Sequence, residues 1–111
     1  MKIDKKENFW VIEDDKSSVK GFSNYLENIA YKHFKDQNVV IDLQKYPQLK
    51  LEELLSFLKV SNRHRKRKKS FVIVNDTILI DQIPDELAVV PTMREAKDFI
   101  QMEELERELG F

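Results

Sequence analysis

The chain contains no cysteine, which excludes disulfides, thiolate metal ligands and cysteine nucleophiles together. Glycine is scarce as well, with two in 111 residues, and no glycine-rich turn follows an apolar run as a phosphate cradle requires. With only three prolines besides, little punctuates the chain, so long elements and short loops are expected. No apolar run approaches the ~20 residues that cross a bilayer. The charged segment Met1–Glu7 is followed by no apolar stretch of signal-peptide type. The expectation is a cytoplasmic protein that engages no membrane. Neither charge sign dominates, with 19 basic against 20 acidic residues, so net charge points to no polyanionic partner.

Four short apolar runs stand out: Phe9 to Ile12, Val39 to Ile41, Phe71 to Val74 and Leu87 to Val90. The last three are continuous and mostly β-branched, as strands covered on both faces are. Trp10 lies between charged flanks, which suits a strand at or near an edge, and Ile3 offers a hairpin partner for it. Helical patterns separate the runs. Val19, Phe22, Leu26, Ile29 and Ala30 recur at helical spacing, with Ser17 or Ser18 as N-cap. Leu51, Leu54, Leu55 and Leu58 form a second pattern, with Glu52 and Glu53 in the first turn, where they favour the helix dipole. Thr92 with Glu95 is a capping box that opens the last helix. The expected architecture is α/β: a single domain with a mixed, mostly parallel sheet of four to five strands, helices packed against it, and an extended C-terminal helix. Residues 1–100 form the α/β domain in this reading, and 101–111 a helical extension.

Three stretches together carry a family resemblance. They are Val39-Val40-Ile41-Asp42-Leu43, then Ser70-Phe71-Val72-Ile73-Val74-Asn75, then Val89-Val90-Pro91-Thr92-Met93-Arg94-Glu95-Ala96. This pattern resembles the STAS domain of anti-sigma-factor antagonists and sulfate transporters, over roughly residues 9 to 100. The resemblance implies a mixed sheet with helices on one side and a non-enzymatic docking role. Family members that act as phospho-switches carry Asp-Ser-Ser-Gly-Leu at the helix start after the Asp-Leu strand. Here that position reads Lys50-Leu51-Glu52-Glu53-Leu54, with Glu52 in place of the phosphorylated serine. Glutamate suits a first helical turn in its own right, so the switch is expected to be absent. The segment Asp76 to Glu86 is too short and too rich in Ile and Pro for the family's helix, and an irregular or extended course is expected.

Catalytic patterns are not found. His33 and His64 have no second ligand at metal spacing, and each is read as a surface histidine on its helix. No Gly-x-Ser-x-Gly elbow occurs. The adjacent pairs Asp14-Asp15, Glu52-Glu53 and Glu103-Glu104 read as solvated acids, because neighbours on a helix point about 100° apart. The chain is therefore expected to be no enzyme and to need neither metal nor cofactor.

Three features remain as candidate surfaces. By the resemblance, and because partners favour strand ends in crossover sheets, Asp42, Lys50, Glu52 and Glu53 are the candidate partner-binding residues. From Lys59 to Lys69 there are seven basic and no acidic residues, which leaves 12 basic against 20 acidic elsewhere. Within that run Arg63, Arg65, Lys66, Arg67, Lys68 and Lys69 form a basic patch for an acidic protein or, as the alternative function, a nucleic acid. No aromatic residue interleaves with it, and a solvated helix C-terminus is the simplest reading. Last, Met93, Ala96, Phe99 and Ile100 lie on one side of the final helix, while Met102, Leu105 and Leu109 lie nearly opposite. Either the helix breaks near Gln101, or it continues and presents Met102, Leu105, Leu109 and Phe111, flanked by Glu103, Glu104, Glu106 and Glu108, to a second copy. The function expected is a regulatory protein–protein interaction module, partner unnamed, with a homodimer through the C-terminal helix as one form.

Overall fold

In the computed structural model, which describes residues 1–110, all four apolar runs contribute strands. A hairpin comes first. Strand β1 (Lys2–Lys5) pairs antiparallel with β2 (Trp10–Glu13), setting Ile3 opposite Ile12. A helical segment follows, made of α1 (Val19–Tyr25), a π-helical turn (Leu26–Ala30) and α2 (Tyr31–Phe34). Then come β3 (Val39–Asp42), α3 (Leu51–Leu55), α4 (Leu58–Lys66) and β4 (Phe71–Val74). A 3-10 turn (Ile80–Gln82), β5 (Ala88–Val90) and α5 (Met93–Glu108) complete the chain. The strands lie side by side in chain order, and β2 to β5 are parallel.

That order dictates where the helices go. Crossovers between parallel strands are right-handed, and three taken in the same direction across a sheet all fall on one face. The side chains agree. Val19, Phe22, Leu26, Leu54, Phe57, Val60 and Leu87 pack with Ile12, Val39, Ile41, Phe71 and Ile73 in the larger core. The opposite face would be bare if the chain stopped at β5. Instead α5 turns back beneath it, and Ala96 and Ile100 bury against Phe9, Val40, Val72 and Val74. The expectation of helices on one side is therefore corrected: three crossovers cover one face and α5 the other. Strands β3 and β4 are buried on both faces, as read, whereas β5 is only half-buried because it ends the sheet.

Local signals act where they were read, with three adjustments. Ser18 Oγ accepts the Gly21 N–H at 3.1 Å, and Thr92 Oγ1 accepts the Glu95 N–H at 3.1 Å, the forward half of the expected capping box, without the return bond from the Thr92 N–H to the Glu95 carboxylate. The leucine pattern at 51–58 is two helices, broken where the Ser56 hydroxyl donates to the Glu53 carbonyl and Phe57 turns into the core. Ile29 is exposed rather than buried. The π-helical turn widens the helix by one residue per turn there, so Ala30, Tyr31 and Phe34 face inward and Ile29 is rotated out. Asp76 to Glu86 is irregular apart from the 3-10 turn, as expected.

Helix α5 runs unbroken past residue 100. Its second half is held by polar contacts at the N-terminal ends of β3 and β4. Ser70, fully buried, donates to Glu103 Oε1 at 2.6 Å. Arg107 donates to Ser70 Oγ at 3.2 Å and to Asn38 Oδ1 at 3.3 Å, and Asn38 also donates to Glu104. Glu103 and Glu104 thus face inward and do not flank the apolar stripe, which corrects both the solvated reading of that pair and their assigned place. Glu106 and Glu108 are exposed.

Candidate functional site

The carboxyl ends of β2, β3 and β4 carry a polar residue each, and the loops after them are tied together there. After β2, Asp14 is buried, contrary to its reading as a solvated acid. Its Oδ1 accepts the Lys16 N–H at 3.0 Å and its Oδ2 accepts the Tyr46 hydroxyl at 2.8 Å. Lys45 donates to the carbonyls of Asp14 and Lys16, closing this loop onto the one after β3. After β4, buried Asn75 donates to the carbonyls of Leu43 and Tyr46, both at 3.0 Å, and accepts from Thr77. Burial raises the Tyr46 phenol well above its ordinary value, and the hydrogen bond to Asp14 and the nearby acidic side chains of Asp14, Glu53 and Glu13 push it the same way. Asp14, Lys45, Tyr46 and Asn75 were not singled out as site residues. The one signal available was a polar residue closing each strand.

Of the four candidate docking residues, two hold local structure. Asp42 Oδ1 accepts both the Gln44 backbone N–H and its side-chain amide at 3.0 Å, forming a turn at the strand end. Glu53 reaches back to the Lys50 N–H at 2.9 Å, satisfying an otherwise unpaired donor at the start of α3. Lys50 and Glu52 point to solvent, and Glu52 lies 3.8 Å from Lys20 in a loose exposed pair. The pair Glu52-Glu53 diverges as helix geometry requires.

The basic run divides by residue type. Arg63 stacks over the Tyr31 ring, 3.9 Å from its centroid, and donates to the Glu27 carbonyl at 3.2 Å. Arg65 meets Glu103 at 3.4 Å, and Arg67 meets Asp36 at 2.7 Å and the Lys35 carbonyl at 3.1 Å. The three arginines therefore fasten α4 to α2 and α5. Among the described residues Lys66, Lys68 and Lys69 make no ion pair, and Lys66 and Lys68 are exposed. Lys68 occupies the left-handed region at φ 61° where α4 ends.

His64 is not a surface residue, contrary to the reading above; it is fully buried. Its ring meets Tyr31, Phe34 and Phe71 edge-on, with Nδ1 3.1 Å from the Tyr31 hydroxyl and Nε2 2.6 Å from the Gln37 carbonyl. A carbonyl only accepts, so Nε2 carries the proton and Nδ1 receives the Tyr31 O–H. Desolvation lowers its pKa to about 4 against the opposing Gln37 bond, with Arg67 and Lys69 adding repulsion. His33 is exposed, as read.

The stripe on α5 is presented to solvent, with Met102 58%, Leu105 49% and Leu109 62% exposed. Phe111, read with this stripe, lies outside the described residues. Among the described residues no three His, Cys, Asp or Glu side chains gather as a metal site requires, and no helix is long and apolar enough to cross a membrane. No family model matches the chain, and no curated protein matches it significantly.

Proposed function

We propose that this chain is a non-enzymatic docking module of STAS-like type that captures another protein at the carboxyl ends of its strands. The observation that carries the reading is the start of α3. Lys50, and Glu52 in its loose pair with Lys20, project into solvent from a rim that Asp42, Glu53, Asn75 and the Asp14–Tyr46 bond hold from behind. A rim held in this way loses little conformational entropy when a partner binds. The sequential strand order, with its crossovers on one face, supports the resemblance drawn from the three sequence stretches.

Affinity capture from the source cell tests this. Glu52→Lys should lose the partner while thermal stability is retained, because Glu52 is exposed and only loosely paired. Retention of every captured protein by that variant removes the rim from consideration. The rival reading, a nucleic-acid accessory protein using residues 63–69, rests on Lys66, Lys68 and Lys69 alone, since the arginines are engaged internally. Phosphate contacts lose affinity steeply with rising salt, so salt titration with DNA and RNA separates the two readings.

A further inference from the structure

The loop before β5 exposes Leu79 and Ile80, and the outer side of α5 exposes Met102, Leu105 and Leu109, an apolar strip that the Glu52 rim does not use. Ile80 is 84% exposed and Leu79 63%. Ile80 also lines a cavity of about 270 Å³ along β5, together with Ile83, Leu87, Val89 and Phe99. Phe99, partly buried against the smaller core, joins this cavity to the exposed stripe on α5, since Met102 is three residues on, with Leu105 and Leu109 at the following turns. The strip is not a frayed end. Ser70, Asn38 and Glu103 hold the inner side of the same helix as far as Arg107.

The charge around the strip is mainly acidic, although Arg65 and Lys68 share a groove with Glu106 at its far end. Residues 76–93 include Asp76, Asp81, Asp85 and Glu86 and no lysine or arginine. On α5 the exposed acids Glu95, Asp98 and Glu106 are three or four residues from Phe99, Met102, Leu105 or Leu109, and so border them, with Arg94 on the far flank. The adjoining sheet edge is unguarded: β1 ends the sheet on one side with Lys2, Asp4 and Lys5, whereas β5 ends it on the other with Ala88, Val89 and Val90.

We propose that this face binds a lysine- or arginine-rich amphipathic segment of another protein, its apolar side chains on the strip and its cations against the acidic rim. A symmetric pair of copies would set the acidic set Glu95, Asp98 and Glu106 of one copy against the same set of the other, a like-charge contact that opposes association. The chain's own basic run does not supply the segment, because Arg63, Arg65 and Arg67 are fastened to Glu27, Glu103 and Asp36. The proposal is independent of the Glu52 rim, which lies at the strand ends.

The test uses the whole chain and a synthetic leucine–lysine amphipathic helix, beside a scrambled peptide of equal composition without an apolar face. Amide chemical shifts should move saturably at Ile80, Phe99, Met102 and Leu105, and the scrambled peptide should bind at least about tenfold more weakly. Leu105→Asp removes one apolar contact and should weaken binding about tenfold. Met102→Asp is the second variant should the first alter the fold. Joint Asp98→Asn and Glu106→Gln replacement should weaken binding and flatten its salt dependence. Equal binding of the scrambled peptide, shifts centred on residues 42–53, unchanged affinity in Leu105→Asp and Met102→Asp, no binding at all, or self-association through this strip would each overturn the proposal.

Discussion

Lowering the pH should unfold this protein through His64 more than through any other histidine. The ring is wholly buried among Tyr31, Phe34 and Phe71, and both nitrogens are committed in the neutral form. Protonation would place a cation in an apolar pocket beside Arg67 and Lys69 and make Nδ1 a donor, forcing the Tyr31 hydroxyl to turn. The folded pKa is about 4 against an ordinary value of 6.5. Above pH 6.5 both folded and unfolded chains are neutral at this site, and its contribution to stability is complete. As pH falls through 6.5 the unfolded chain takes up a proton that the folded chain refuses, so stability declines until the folded ring itself protonates near pH 4. The difference, at 1.36 kcal/mol per unit, amounts to about 3 kcal/mol. For a domain whose whole stability is about 5–15 kcal/mol, that is a large share. Urea unfolding between pH 7.5 and pH 4, followed by Trp10 fluorescence, measures it. Carboxylates titrate in the lower part of this range, so the decisive comparison is with His64→Gln, which cannot take the proton. The variant should be less stable at pH 7.5, having lost fitted packing and hydrogen bonds, and its stability should depend on pH less by about 3 kcal/mol over the range. Parallel pH profiles for the two proteins would refute the reasoning.

Other perturbations have equally direct readings. Lys68 closes α4 in the left-handed conformation, with its N–H donating to Arg65 and the Lys69 N–H reaching the His64 carbonyl, a Schellman arrangement that favours glycine. Lys68→Gly should therefore stabilise the fold by about 1 kcal/mol, and a lower thermal midpoint would contradict this. Thr92→Ala removes the cap of α5 and should cost about 1 kcal/mol in urea unfolding, whereas Thr92→Ser should cost much less. Ser70→Ala leaves Glu103 and Arg107 without their shared buried partner, at a cost of about 1–3 kcal/mol. Hydrogen exchange should then quicken along residues 101–108 and stay slow in β3; uniform protection along α5 would show that the contact does not hold the helix.

Elements whose signals are local were legible in the chain. The apolar runs, the Ile3 hairpin and the caps at Ser18 and Thr92 depend on residues within a turn or two of one another, and each formed where it was read. The candidate site was legible only as an address. Asp42 and Glu52 could be assigned to a strand end and a helix start, but not which charges are already spent. Glu53 and Glu52 are neighbours of the same type, yet one caps α3 and the other faces water. The basic run at 63–69 divides into three arginines and three lysines, but nothing local says that the arginines are fastened, because their partners Glu27, Asp36 and Glu103 are 31 to 38 positions away.

By itself, then, the amino-acid order determined the α/β class, the strand content, the starts of α1, α3 and α5 and the two opposed faces of α5, because periodicity and capping act over a few residues. Burial of His64 and Asp14 was decided by tertiary structure, since both read as ordinary surface residues until Tyr31, Gln37 and Tyr46 close over them from elsewhere in the chain. The side of the sheet that α5 covers was also decided there. Three same-handed crossovers leave one face open, and only a final helix running back across it can bury Val40, Val72 and Val74. Covering that face spends one side of α5 and leaves Met102, Leu105 and Leu109 in water, because a single straight helix cannot turn both stripes toward one sheet.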